Sequence, residues 1–353
     1  MSRAVIVGSG SCIPKERVTN DMLSRIMDVD DEWIRARCGV ECRHYVDEGI
    51  TTSDLGAAAA SDAITMAGID RKDLDLVIFA TMTPDHYFPG SGGLIQSKLG
   101  LNNIPSFDIR QQCTGFLYGL QLADAQIRAG FARNVLLIGA ETHTGFMPWT
   151  KENYSYLYGK TDMPPTAEEY EWNSRFKNIT VLFGDGGAAV IVQAGDGESG
   201  VIDCVLHTDG SGFDKIYVPG AGFNRRPYVD TEQILAGEHI PVMNGMTVYR
   251  HATNCMTDVT NEILQRNGLE INDISMVLMH QANKRINERV QKMLDIPEDK
   301  VIHNIHKYGN TTAATIPLLW DECIRNNRIH KGDLVLMVGF GAGMHWGALL
   351  LKV

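Results

Sequence analysis

Cys113 sits at the centre of Asp108-Ile-Arg-Gln-Gln-Cys113-Thr-Gly-Phe-Leu-Tyr-Gly, where a strand-like stretch ends and a helical one begins. Apolar Phe116, Leu117, Leu120, Ala123 and Ile127 recur at three- and four-residue spacing, which predicts a helix from Gly115 to Gly130. That places a thiol at a helix N-terminus. There the macrodipole and free N–H groups favour a thiolate, and the same N–H groups can hold a developing oxyanion. Cys113 is therefore a candidate nucleophile, against the plainer reading of a buried structural thiol.

Two later segments supply partners. Met276-Val-Leu-Met reads as a buried strand, so His280 emerges where that strand stops. In Tyr308-Gly309-Asn310-Thr-Thr-Ala-Ala, a polar turn opens an Ala-rich helix, and Asn310 is either an N-cap or an amide aimed into a site.

The elements that must position these residues are repeated at an offset of 200. Gly68-Ile-Asp-Arg-Lys-Asp73-Leu-Asp-Leu-Val-Ile78 lies over Gly268-Leu-Glu-Ile-Asn-Asp273-Ile-Ser-Met-Val-Leu278, Val135–Gly139 over Val335–Gly339, and Gly10-Ser11 over Gly210-Ser211. Gly68 and Gly268 read as helix C-terminal signals. Near-continuous apolar strands in a repeated α/β unit imply parallel-rich sheets covered by helices on both faces. Cys113 falls over Ala313, so thiol and Asn310 amide belong to equivalent helix openings that a pseudo-twofold brings together. Gly139 and Gly187 are 48 residues apart, whereas Gly339 and Gly347 are 8 apart. Residues 141–182 are thus additional to the first half. Their large aromatics, including Trp149, Tyr154 and Trp172, suggest a lid over the thiol, or else a subunit contact.

The Cys-Thr-Gly-Phe, His-Gln-Ala-Asn-Lys-Arg-Ile and Tyr-Gly-Asn-Thr-Thr-Ala-Ala segments resemble the motifs of β-ketoacyl-[acyl carrier protein] synthase III, in the thiolase superfamily. The similarity extends to Asp31–Val40, Phe183-Gly-Asp-Gly186 and Gly339–Gly347, nearly the whole chain. It implies a thiolase-like five-layer α-β-α-β-α fold of two duplicated halves, 1–195 with the lid and 196–353. It also implies decarboxylative condensation of an acyl-CoA with malonyl-acyl carrier protein, in a homodimer that needs no metal or redox cofactor. Cys113 would carry the acyl group, and His280 with Asn310 would hold the enolate. The backbone at Ala342 would complete an oxyanion hole, with Phe340 beside the thiol. Trp33, Arg37 and Lys177 match coenzyme A contacts, Lys177 standing where the family has an arginine that stacks on adenine. Phe88 matches a residue that reaches the partner's acyl pocket. Gln111 and Gln112 replace small apolar residues, which leaves acyl preference open. A relative that transfers acyl groups to oxygen or nitrogen, one that condenses two acyl chains head to head, and a non-catalytic partner subunit are the competing readings.

Composition narrows the setting. The 353 residues are 44% hydrophobic and carry a net charge of −11, which argues against a nucleic-acid surface. Seven scattered cysteines (12, 38, 42, 113, 204, 255 and 323) without a CxxC pattern suit a reducing cytoplasm, so the sequons at Asn153 and Asn178 read as coincidental. No apolar run approaches a membrane span, and no signal peptide is expected. Gly8-Ser-Gly10 imitates a dinucleotide fingerprint without its third glycine and reads as a turn. Lys284, Arg285, Arg289 and Lys292 follow His280 on one predicted helix; with Arg250 they form either a solvated face or a docking patch for an acidic carrier protein.

Overall fold

A computed structural model describes residues 2–195 and 197–353; the expected boundary between halves involves residue 196, outside the described residues. The elements that build the site are, in order, β1 (Ala4–Cys12), α1 (Asp31–Cys38), α2 (Thr52–Ala67), β2 (Leu76–Ala80), β3 (Ser106–Ile109), α3 (Gly115–Arg128), β4 (Asn134–Glu141), β5 (Gly186–Ala194), β6 (Gly200–Thr208), α4 (Gly245–Asn267), β7 (Met276–Met279), α5 (Lys284–Met293), α6 (Thr315–Arg325), β8 (Leu334–Gly341) and β9 (His345–Lys352).

One sheet has strand order β1-β5-β4-β2-β3 and the other β7-β8-β9-β6. Strands β2 and β7 are apolar and buried along their whole length, because helices cover both of their faces. Helices α3 and α6 lie between the sheets and touch both, α2 covers the outer face of the first sheet, and α4 and α5 cover that of the second. The resulting five layers are those of the thiolase-like α/β fold. Buried Phe116, Leu117, Leu120, Leu319 and Trp320 join the central helices to both sheets in one core. Helices α2 and α4 both end at a left-handed glycine, Gly68 with φ +65° and Gly268 with φ +63°, as the sequence predicts.

Three expectations need correction. The sheets are mixed rather than parallel-rich: β2 pairs in parallel with β3 and β4, but β5 runs antiparallel to both β4 and β1. In the second half β9 returns antiparallel to β8 across residues 342–344, because three residues cannot make the crossover that a parallel strand requires. Gly8-Ser-Gly10 is no turn; it lies within β1, and a Cβ at Gly8 or Gly10 would stand 2.4 or 2.3 Å from a carbonyl oxygen of α2. Glycine there lets helix and strand approach closely. Finally, Gly10-Ser11 belongs to β1 whereas Gly210-Ser211 lies in a 3₁₀ turn after β6, so that match is not structural.

Candidate active site

Cys113 lies in a one-turn 3₁₀ segment, Gln112–Thr114, immediately before α3. The same turn recurs at Thr312–Ala314 before α6. Gln112 and Thr312 share an unusual left-handed backbone, φ +50° and +49°, strain of a kind that clusters at functional sites. The two turns pack against each other. This contact brings the Cys113 and Asn310 segments together, as the offset of 200 predicts.

Cys113, His280 and Asn310 line one cavity of about 1420 Å³. His280 follows the last residue of β7, is buried, and donates its backbone N–H to Val338 O at 2.8 Å. Its Nδ1 meets Thr315 Oγ1 at 2.6 Å, while Nε2 has no hydrogen-bond partner among the described residues. Burial pushes this imidazole down to about 3, so it is neutral at rest. Asn310 accepts the Thr312 backbone N–H on Oδ1 at 2.8 Å, which leaves its Nδ2 donors for the cavity it lines. Asn310 caps neither α6 nor the turn before it, whose first flanking residues are Ala314 and Thr311.

The thiol differs from the sequence expectation. Cys113 is partly accessible from the cavity, yet burial in apolar surroundings and then the nearby Glu141 carboxylate push it up to about 12. A backbone hydrogen bond, then those of the Thr312 and Asn310 side chains, pull the other way. Desolvation and one negative charge thus outweigh the helix terminus, and at rest Cys113 is a thiol, which would have to lose its proton to act as a nucleophile.

Glu141 ends β4 and is fully buried. Its Oε2 accepts from Thr81 Oγ1 at 3.0 Å, Met82 N and Thr83 N at 3.1 Å each, and Thr83 Oγ1 at 2.7 Å. Burial nonetheless raises it to about 7. Two residues on, buried His143 places Nδ1 2.7 Å from Gly184 O and Nε2 2.7 Å from Thr312 Oγ1, and stacks on Phe183 at 4.6 Å. Neither residue stood out in the sequence. The one signal for them is the duplication, which lays Glu141-Thr142-His143 over Gly341-Ala342-Gly343.

That second triplet turns between β8 and β9 along the cavity wall, and Phe340 beside it is buried. A Cβ at Gly341 would meet Cys113 N at 3.0 Å, so only glycine lets the two backbones approach this closely. Trp33 and Arg37, from α1, line the mouth, with the Arg37 guanidinium 4.1 Å from the Trp33 ring centroid. Lys177 does not line the cavity; its Nζ lies 5.4 Å from the same ring and binds Asp28 at 2.6 Å. Phe88 is 86% exposed and absent from its own cavity wall.

Of the expected docking residues, Arg285 reaches the cavity mouth, 5.9 Å from the Tyr249 ring centroid, whereas Arg250 and Arg289 are exposed outside it. Lys284 pairs with Glu288 at 3.6 Å, and Lys292 faces a separate cleft with Glu288 and Asp295. The basic face is thus divided rather than continuous.

The added segment lines the cavity through Thr142, Thr144, Gly145, Phe146, Asn178, Ile179, Val181 and Leu182. Trp149 and Trp172, expected over the entrance, do not line it. Trp149 is buried against Tyr45 and Tyr154, and Trp172 packs on Phe176. Phe213, Ile216, Tyr217, Met243 and Met246, which the sequence did not single out, also line the cavity.

Residues 107–161 and 168–210 match the family described as "3-Oxoacyl-[acyl-carrier-protein (ACP)] synthase III", and residues 264–353 its C-terminal part. The chain is 37% identical over 353 residues to a β-ketoacyl-[acyl-carrier-protein] synthase III of Clostridium perfringens, covering 100% of both. It is 38% identical over 349 residues to that of Microcystis aeruginosa, covering 99% of this chain and 97% of the other. The crystal structure of 3-oxoacyl-[acyl-carrier-protein] synthase III from Aquifex aeolicus superposes with a TM-score of 0.85 at 33% identity, over 100% of both chains.

Proposed function

The chain belongs to the 3-oxoacyl-[acyl-carrier-protein] synthase III family, and from that membership we propose how its own residues condense an acyl-CoA with malonyl-acyl carrier protein. The observation that carries the reading is the convergence of Cys113, His280 and Asn310 on one largely apolar cavity.

Cys113 sulfur attacks the acyl thioester carbonyl and coenzyme A leaves, so a hard condensation is divided into two transfers. Backbone N–H groups at Cys113 and Ala342 receive the oxyanion of that transfer. Malonyl carrier protein then loses CO2. The enolate oxygen requires donors, and Asn310 Nδ2–H is one. His280 Nε2–H is the other, in the tautomer where the single Thr315 hydroxyl hydrogen turns from Thr312 O, 3.1 Å away, to Nδ1 across their 2.6 Å contact. The carbanion attacks the acyl-enzyme and gives 3-oxoacyl-acyl carrier protein with Cys113 regenerated. No step changes the oxidation level of either substrate, so the sequence of transfers assigns no work to a redox group.

Trp33 and Arg37 offer a face and a charge to the nucleotide end of coenzyme A, and Lys177 must leave Asp28 to close over it. A second copy of the chain completes the pocket. The edge strand β3 is unpaired on one side, with Phe107 39% and Phe88 86% exposed near it, features that a homodimer would cover. Among the described residues no helix is long and apolar enough to cross a membrane; we place the enzyme in the cytoplasm on the strength of its seven unpaired cysteines.

Intact-mass measurement tests the reading. Exposure to acyl-CoA is expected to add one acyl group on Cys113, and malonyl carrier protein to discharge it as a 3-oxoacyl product. An acyl-enzyme that ignores malonyl carrier protein and discharges to an alcohol, an amine or a second acyl chain overturns it.

A further inference from the structure

Arginines line the cavity at three places, each resting on a different ring: Arg37 on Trp33, Arg285 on Tyr249, and Arg110 on Tyr87 with its guanidinium 5.1 Å from the ring centroid. The first two stand at the mouth. Arg110 directly follows β3 and comes only three residues before Cys113, so the two Cα atoms lie within about 11 Å of each other. This cation therefore shares the cavity with whatever the thiol carries.

Among the described residues Arg110 has no ion pair and donates no side-chain hydrogen bond, and the one carboxylate that lines the cavity, Asp85, is already engaged. Asp85 accepts from Ser53 Oγ at 2.6 Å and from Ser91 Oγ at 2.7 Å. The neighbours of Arg110 add donors rather than a counter-charge. Tyr87 and Tyr228 line the same cavity with ring centroids 5.9 Å apart, and neither hydroxyl has a hydrogen-bond partner among the described residues. Phe223 braces both rings, 5.5 Å from Tyr87 and 4.8 Å from Tyr228. Gln112 donates from Nε2 to Arg110 O at 3.2 Å, which ties the residue before the thiol to this group.

We propose that the acyl group loaded on Cys113 ends in a carboxylate held by Arg110 with Tyr87 and Tyr228, so that the starter is a short ω-carboxyacyl-CoA such as glutaryl- or adipyl-CoA. The inference deepens the reading of Cys113 as the acyl carrier and rests on it. A guanidinium lying on a ring keeps its in-plane N–H groups, which match a carboxylate two by two. The span of about 11 Å between Cα atoms, shortened by both side chains, suits an acyl chain of about five or six carbons. A plain hydrocarbon chain would instead strip water from the cation and offer no hydrogen bond in exchange, which is unfavourable.

Loading rates on matched thioesters test the assignment. Glutaryl-CoA is compared with its hydrocarbon counterpart, in which an isopropyl group replaces the terminal carboxylate at nearly the same shape. In the wild type, kcat/KM for acylation of Cys113 should favour glutaryl-CoA by about tenfold or more, the scale of a hydrogen bond to a charged group. Arg110→Gln should lower that preference by about 10- to 100-fold, and Arg110→Lys, which keeps the charge without the planar fork, should retain part of it. Equal loading of the two thioesters by the wild type overturns the proposal. So does an Arg110→Gln variant in which both rates fall alike; loss of the dimer in sedimentation alongside that result would mean that Arg110 pairs with an acid of a second copy. A glutaryl-enzyme that forms with the expected preference but is not discharged by malonyl carrier protein would uphold the proposal and sink the reading of the overall reaction.

Discussion

Asn310 and Glu141 bear on different steps, and replacements that add no charge separate them. Asn310→Ala removes the two Nδ2 donors without placing a carboxylate beside the thiol. Loading of Cys113 should survive, and malonyl decarboxylation should fall about 100-fold or more, the scale of a lost oxyanion donor; comparable losses in both steps would contradict the assignment. Glu141 holds the thiol up by charge, so in Glu141→Gln the thiol should titrate at lower pH. A one-unit drop is a tenfold gain in thiolate at fixed pH. Alkylation of Cys113 by iodoacetamide at pH 8 should therefore quicken, by roughly tenfold at most. In both proteins the rate should climb with pH through 9, because the thiolate is the reactive form. An unchanged or slower variant would show that Glu141 does not face the sulfur as a charge.

Much of the element scale was legible in the sequence. Periodicity gave α3, an apolar run gave β7, and the repeat at an offset of 200 paired the turns before α3 and α6 to the residue. The mixed sheet direction was legible too, since the seven residues between Gly339 and Gly347 leave no room for a crossover. It was missed because the added segment hides the same return in the first half. Glu141 and His143 escaped because a carboxylate and an imidazole at the end of an apolar strand have no spacing rule to betray them. The aromatics of 141–182 misled for a related reason: composition tells that rings are buried, not against what. Trp149 fills a satellite core with Tyr45 and Leu157. Trp149→Ala should accordingly cost about 3–5 kcal/mol of stability in denaturant unfolding and leave the profile of acyl-CoAs loaded unchanged below the transition. A shifted profile with undiminished stability would restore the lid.

At the scale of the whole molecule, the chain of net charge −11 presents its positive charge unevenly. Arg37 and Arg285 stand at the cavity mouth, Arg250 and Arg289 lie outside it, and Lys284 is already paired. An acidic carrier protein is guided by such a local excess against an opposing background. Arg285→Glu should raise KM for malonyl carrier protein severalfold at low ionic strength with little effect on loading by small acyl-CoAs. The difference should shrink as salt shortens the Debye length below about 10 Å. Equal KM values at low salt would make this a solvated face.

The left-handed residue before each central helix has a historical consequence. Gln112 and Thr312 adopt almost the same backbone angle, although one precedes a nucleophile and the other an alanine. The two turns thus share a backbone shape that their side chains do not share. An ancestral pair of identical halves would have held two equal turns facing each other, each with the same occupant. In this chain one turn carries a thiol, Cys113, and the other an alanine, Ala313. The symmetry of the scaffold accordingly fixes how many acyl groups a chain can hold at this centre: two turns, but one thiol, and so one equivalent per chain at saturation.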